Sequence, residues 1–291
     1  MILYVDGSFV EHGETGIDPL ARGCLLGEGV FETVRVERRH LCWFEDHYAR
    51  LGAGARALDI PFSLPMEELH AIAEQVVDSN ECDDGRLRIT LLAGESGSDP
   101  FGHAERSVLV VSVAGRRPGL AEELRERGLA VGLGTLRVNQ TSPLARIKSV
   151  NYADRILARR EAIAAGLDDL LLRNIDGAIV TATAANLFIV DAEGTVATPP
   201  VPSGALPGIM RKRLLRLGAE LGFTMRERTI DMDELTAARE AFLTNVLIEV
   251  MPVVRIAGWM VGREGQHPVA RQLMDAHRAE VERTVEAARH G

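Results

Sequence analysis

Lys148, in the stretch ARIKSVNYAD, is one of only two lysines, with Lys212, among the 33 basic residues of this 291-residue chain. An amine attacks a carbonyl when its surroundings disfavour the ammonium form. Lys148 stands after a Ser-Pro turn and before a helix-forming run, a junction from which a side chain can enter a cleft. A skewed codon composition also leaves isolated lysines without function, so residue type alone decides nothing. An imine-forming lysine generally holds pyridoxal phosphate, whose phosphate has to be cradled. The run SGALPGIMRKRLLRLGAELG offers glycines and a proline ahead of a helix whose first N–H groups can meet an anion. Arg50, in FEDHYARL, carries a guanidinium fork suited to phosphate oxygens. Each has a plain alternative: such helix starts are common without phosphate, and most arginines on amphipathic helices face solvent.

These residues need a scaffold, and the sequence predicts an α+β one. ILYVDGSFV, VFETVRVERRHLCWF, GRLRITLLAG and SVLVVSVAG are rich in β-branched and aromatic residues and bounded by turn formers, which predicts strands. EDHYARLGAGARALDI and PMEELHAIAEQVVDSN repeat apolar residues at three and four, which predicts helices. Together they make an N-terminal α/β domain over 1–114. The charged, Gly- and Pro-containing stretch that follows is read as a linker over 115–124, and 125–291 as a larger C-terminal domain. In that domain LAVGLGTLRV, DDLLLRN, GAIVTATAANLFIV, TVATPP, FTMRERTI, AFLTNV and MPVVRIAGW predict strands. Helices are predicted over about 151–166, 208–222 and 267–286. Many short strands suggest a mixed, barrel-like arrangement.

Composition narrows the function. A net charge of -9 and 4% aromatic residues disfavour nucleic acid, whose phosphates need a basic surface. No apolar run approaches the roughly 20 residues that span a bilayer, and MILYVDGSFV lacks the pattern of a signal peptide, so a cytoplasmic setting is expected. The three cysteines form no CxxC pair and the eight histidines fall singly, so no metal site is predicted. A small-molecule substrate is the expectation.

In order along nearly the whole chain, ARGCLLGEGVFETVRV, FEDHYARL, KSVNYADRILARREAIAAGLDDLLL, DGAIVTATAANLFIV, GALPGIMRKRLL and AFLTNVLIEVMPV resemble the class IV, fold-type IV pyridoxal-phosphate enzymes. That family includes branched-chain and D-amino-acid aminotransferases and 4-amino-4-deoxychorismate lyase. The resemblance implies a two-domain α/β fold, a cofactor held in the cleft between domains, and a homodimer. It makes Lys148 the Schiff-base lysine, Tyr152 a neighbour of the cofactor's O3′, and Arg50 a phosphate ligand beside the backbone amides of Ile209 and Met210.

One position departs from the pattern. Where the family usually places a glutamate against the pyridine nitrogen, this chain has Thr181. A carboxylate there keeps the nitrogen protonated and the ring electron-withdrawing, whereas a hydroxyl only hydrogen-bonds. This should weaken transamination more than an elimination driven by forming an aromatic product. Thr33 and Asn245 match the lyase branch; as plain residues they are a β-branched strand residue and a strand-end turn residue. Against the lyase, the loop AGESGSDPFG lacks the arginine often found there.

Arg35 and Arg88 are the candidates for gripping substrate carboxylates, with Arg22 a third, and each has an alternative as a solvated or ion-paired residue. The expected activity is that of a lyase releasing pyruvate and 4-aminobenzoate from a substrate carrying carboxylates and an amine. A transaminase of the same fold and a cofactor-free relative are the rivals.

Overall fold

The computed structural model describes residues 1–14, 16–95, 102–115, 120–262 and 266–290. It divides into two compact units: Met1–Arg116 with Ile147–Asn151 and Arg283–Gly291, and Arg117–Arg146 with Tyr152–Glu282.

The first unit contains β1 (Ile2–Val5), β2 (Ser8–Glu11), a single helical turn α1 (Arg22–Leu25), β3 (Gly29–Glu37), β4 (His40–Leu41), α2 (Phe44–Ala57), α3 (Met66–Ser79), β5 (Gly85–Ala93) and β6 (Ser107–Gly115). Its six strands form one sheet in the order β2-β1-β6-β5-β3-β4. Strand side chains alternate between faces, and along β3 the residues Val30, Val34 and Val36 join Leu51 and Ala55 of α2 and Leu69 and Val76 of α3 in one buried cluster. Phe31, Thr33 and Arg35 therefore point to the opposite face.

The second unit begins with α4 (Leu120–Arg127), β7 (Leu129–Val138), α5 (Ala153–Ala164), β8 (Asp169–Asn174), β9 (Ile179–Ala182), β10 (Asn186–Val190) and β11 (Val196–Thr198). It continues with α6 (Ile209–Glu220), β12 (Met225–Glu227), α7 (Met232–Ala237), β13 (Glu240–Asn245), β14 (Glu249–Ile256), β15 (Trp259–Met260) and α8 (Pro268–His290), whose end from Arg283 groups with the first unit. The pairings run β10-β13-β14-β7-β8-β9, and β9 pairs back to β10, so six strands close into a ring. The expected barrel-like sheet is present, and the mixed α/β class is as predicted. One face of the strands, including Val131, Leu171, Leu187, Ile189, Leu243 and Val253, packs as a single core. The alternate face carries Phe188 and Phe242, paired across β10 and β13 and stacked at 5.2 Å between ring centres. β7 and β8 are parallel and joined by α5, which buries Ala158 and Ala162 against Leu170 and Leu172.

Three details differ from the sequence reading. Residues 116–119 of the expected 115–124 linker lie outside the described residues, and from Leu120 the chain is helical, as LAEELRER has the residue types of a good helix former. Residues 147–151 group with the first unit although they fall in the range 125–291, because their backbone pairs with β3. FTMRERTI forms strand only over Met225–Glu227, where it pairs with β11. Among the described residues no helix is long and apolar enough to cross a membrane.

Candidate functional site

In the first unit the short segment holding Lys148 is laid against the start of β3. The Phe31 N–H donates to the Lys148 carbonyl at 2.9 Å, and the Val150 N–H to the Gly29 carbonyl at 2.9 Å. Gly29 admits this approach, since a Cβ there would crowd Leu92, the Leu91 carbonyl and Val150. Lys148 Nζ lies 4.2 Å from the centre of the Phe31 ring, and the Arg88 guanidinium carbon lies 3.5 Å from it. Thr33 is the cross-strand partner of Arg88. One aromatic ring thus gathers Lys148 and Arg88, with Thr33 one pleat further along the same face. Cation–π contact helps to hold both charges in place, and Arg88 Nε also donates to the Thr90 hydroxyl at 3.1 Å.

The other arginines stand differently. Arg35 gives Nε and Nη2 to Glu37, at 2.9 and 2.6 Å, so its fork grips a carboxylate two residues along the strand. Arg22 is held by Glu28 and by the Gly102 carbonyl. Arg50, on α2, places Nε 2.7 Å and Nη2 2.6 Å from the two oxygens of Glu32. Glu32 is fully buried and also takes His47 Nδ1 at 2.7 Å. Burial would raise its carboxyl, but the hydrogen bonds from Arg50 and His47 outweigh that and hold it at about 2. An ionised Glu32 has no proton to give, so His47 Nδ1–H is the donor, and burial keeps the ring neutral by pulling its pKa down. Glu32 is the polar member of the core face of β3, a signal visible as an acid between valines in VFETVRV.

In the second unit three polar side chains cross neighbouring strands in one row. Thr181 of β9 pairs with Asn186 of β10, which pairs with Thr244 of β13; beyond them the row continues with Leu172 and Val250. All three are buried. Thr181 Oγ1 donates toward the carbonyls of Ala182 and Ala185, at 3.1 and 3.0 Å. Asn186 Nδ2 donates to the Leu206 carbonyl at 3.0 Å, which ties the row to the start of α6. The N-cap of α6 is Gly208, which supplies no side-chain hydrogen bond to the first turn, where Ile209 and Met210 lie. A Cβ on Gly208 would overlap Asn186 Oδ1. Among the described residues Thr244 Oγ1 is buried without a hydrogen-bond partner. A helix start lacking its cap, beside a row of hydroxyl and amide groups, fits an anionic phosphate.

Replacement of Gly208 by Ala is therefore expected to break the Asn186–Leu206 contact. It should weaken pyridoxal phosphate binding about tenfold, on the order of the 1–2 kcal/mol of a lost hydrogen bond. Equilibrium dialysis of the cofactor would measure it, and unchanged affinity would count against phosphate binding at α6.

A cavity of about 620 Å³ opens at one end of the barrel. Leu129, Leu243, Ile248 and Met251 line it, together with Tyr152 and Asn245. Asn245 is fixed by donating Nδ2 to the Ala184 carbonyl at 3.1 Å and by accepting from the N–H groups of Leu247 and Ile248. Within the first unit the structure brings together Lys148, Thr33 and Arg88; within the second it joins Thr181 to the α6 start and Tyr152 to Asn245. The loop AGESGSDPFG lies mostly outside the described residues.

The first unit thus holds a lysine against an aromatic ring, and the second unit holds a barrel with an uncapped helix start beside a polar row. The family model for class IV amino-transferases matches residues 29–256, and this chain belongs to that family. Relatives include the D-alanine aminotransferase of Bacillus licheniformis, 27% identical over 95% of each chain. The branched-chain-amino-acid aminotransferase of Escherichia coli K12 is 26% identical, over 94% of this chain and 91% of its own. Among solved structures, Escherichia coli branched-chain aminotransferase superposes with a TM-score of 0.89 at 25% identity, covering 96% of this chain and 93% of the other. A structure from Legionella pneumophila, provisionally assigned as 4-amino-4-deoxychorismate lyase, superposes with a TM-score of 0.85 at 27% identity, covering 92% and 96%. Family membership makes pyridoxal 5′-phosphate the cofactor, in agreement with the sequence reading.

Proposed function

We propose that this chain is a lyase that cleaves 4-amino-4-deoxychorismate to pyruvate and 4-aminobenzoate. The observation that carries the reading is Thr181: at the position where the resemblance places a carboxylate for the cofactor's nitrogen, the buried side chain is a hydroxyl whose proton is engaged by backbone carbonyls. Bound pyridoxal phosphate supplies an aldehyde for the substrate amine and a conjugated ring that withdraws electrons. With no acid at Thr181 that withdrawal is weaker, which favours a reaction whose product gains aromatic stabilisation. Thr33 and Asn245 support the same branch.

The residue roles are those that the resemblance implies, joined to the chemistry of the reaction. Lys148 would hold the cofactor, and with the substrate bound its Nζ would be the base that takes the proton from the ring carbon bearing nitrogen. The carbon–oxygen bond to the enolpyruvyl group breaks, the ring becomes aromatic, and Lys148 or the Thr33 hydroxyl returns one proton to the departing methylene carbon, giving pyruvate. Asn245 hydrogen-bonds the substrate and Arg88 takes a carboxylate, with Arg35 the second candidate. Arg50 and the amides of Ile209 and Met210 take the phosphate, and Tyr152 the cofactor's O3′. The cytoplasmic setting and the homodimer belong to the same reading; the exposed Ile156, Leu157 and Ile163 on α5 give a second copy an apolar surface to cover.

Transamination is the second reading, favoured by relatives named as D-alanine and branched-chain aminotransferases over more than nine-tenths of this chain. The test is pyruvate release from 4-amino-4-deoxychorismate by the cofactor-loaded protein, run beside keto-acid formation from D-alanine and from leucine. Pyruvate with equimolar 4-aminobenzoate is expected; keto acid alone would establish the transaminase. Thr181→Glu is expected to raise transamination about tenfold or more over the lyase rate, since a one-unit change in effective pKa is worth about 1.4 kcal/mol. A comparable gain in lyase rate would defeat the argument from Thr181.

A further inference from the structure

The cavity at the end of the barrel has a charge pattern that the roles above leave unused. Besides its apolar walls it is lined by Arg155, Arg159 and Arg160 from α5 and by Asp168 and Asp169 at the start of β8. Asp168 is engaged through both oxygens and Asp169 through one. Asp168 is bound bidentately by Arg127, at 3.0 and 2.7 Å, and accepts the Ala130 N–H at 2.8 Å. Asp169 Oδ1 accepts the Thr183 hydroxyl at 2.6 Å and the N–H groups of Thr183 and Leu170. Among the described residues none of the three α5 arginines forms an ion pair within 4.0 Å.

Arg159 and Arg160 are exposed, where an unpaired guanidinium is ordinary. Arg155 is not: burial pulls its guanidinium below the usual value, against the opposing pull of Tyr152, Asp154 and Asp169. Among the described residues its one hydrogen bond runs from Nη1 to the Ala182 carbonyl at 3.2 Å, which anchors the head beside the β9–β10 turn. A guanidinium presents five N–H donors, so a desolvated one with a single protein acceptor is suited to an anion.

We propose that this cavity is a carboxylate pocket, in which Arg155 grips the carboxylate of a small acid and Leu129, Leu243, Ile248 and Met251 cover its apolar body. The volume suits a ligand of that size, since small-molecule pockets run roughly 300–1,000 Å³. Tyr152 and Asn245 line the same cavity, so an acid held by Arg155 lies beside two residues assigned to the cofactor and substrate. The assignment rests on the proposed function only for what the acid is. A ring acid such as 4-aminobenzoate and a branched aliphatic acid such as 4-methylpentanoate share this chemistry.

Calorimetric titration of the cofactor-loaded protein with each acid and with its uncharged amide tests the pocket. One acid is expected to bind about tenfold to a hundredfold more tightly than its amide, the size of a charge-assisted hydrogen bond. Arg155→Met should erase that preference and Arg155→Lys should keep part of it, while Arg159→Gln and Arg160→Gln leave it intact. Equal binding of acids and amides by the wild type, or a preference that persists in Arg155→Met, overturns the assignment. If Arg155→Met does not fold, the wild-type contrast and Arg155→Lys decide. A preference for 4-aminobenzoate supports a ring acid as the occupant, and one for 4-methylpentanoate an aliphatic acid. Acid binding that depends on Arg155 in a protein releasing no pyruvate retires the lyase and keeps the pocket; pyruvate release without acid preference does the reverse.

Discussion

Lys148→Ala is expected to lower turnover at least about a thousandfold, the range over which a positioned general base contributes, and to remove covalent attachment of the cofactor altogether. In the proposed mechanism the amine both holds pyridoxal phosphate and moves the proton, so its loss removes both functions at once. Lys212 lies on α6 in the other unit. Fold should be unaffected: the segment 147–151 is held by backbone hydrogen bonds to β3 and by packing of Ile147, neither of which needs the amine. Borohydride treatment followed by peptide mass analysis reads the result directly. The wild type should carry the reduced cofactor on the peptide containing Lys148, and the variant none. A label found elsewhere, or a wild type with no visible absorption band after incubation with the cofactor, would remove the basis of the proposed chemistry and favour a cofactor-free relative.

Glu32→Gln should be the most damaging conservative change in the first unit, costing about 3–5 kcal/mol, because it strips a buried carboxylate from Arg50 and His47 at once. The volume is unchanged, so the loss reports charge and hydrogen bonding, not packing. The pH dependence gives an independent check. The folded carboxyl sits at about 2 against an ordinary 4.5, so the unfolded chain binds a proton that the native state refuses. Stability from Glu32 is complete above about pH 4.5 and drains away as pH falls toward 2, by about 3 kcal/mol in all. His47, held below its ordinary 6.5, acts with the same sign and begins to contribute a loss below that value. Urea unfolding at pH 7 and pH 3 should show a smaller acid loss in Glu32→Gln than in the wild type. Parallel losses in the two proteins would mean that the carboxylate is not the acid-sensitive group.

Glu32, itself held by His47, fixes the direction of the Arg50 guanidinium, and the charge of that guanidinium in turn keeps Glu32 ionised inside the core. A lysine at this position would lose the two-pronged grip that the planar fork allows.

Much of this was legible without coordinates. Periodicity of three and four marked α2, α3, α5, α6 and α8, and dense β-branched runs marked the strands of both sheets, because local burial patterns dictate these elements. The isolated Lys148, the glycines before α6 and the order of six sequence segments identified the family and its cofactor. What could not be read was pairing across long sequence distance. Nothing local to ARIKSVNYAD says that its backbone docks on Gly29 and Phe31, more than a hundred residues earlier, or that the Phe31 ring collects Lys148 and Arg88. The row Thr181–Asn186–Thr244 depends on the register of three strands, and the engagement of Asp168 by Arg127 and of Asp169 by Thr183 depends on a helix and a turn meeting the start of β8.

The residue types therefore determined which chemistry is available: an amine, an anion-binding helix start and a hydroxyl where an acid is usual. Only tertiary structure decided which of the arginines are already spent on carboxylates and which still face a cavity, because ion pairing depends on distances of a few ångströms that chain order does not encode.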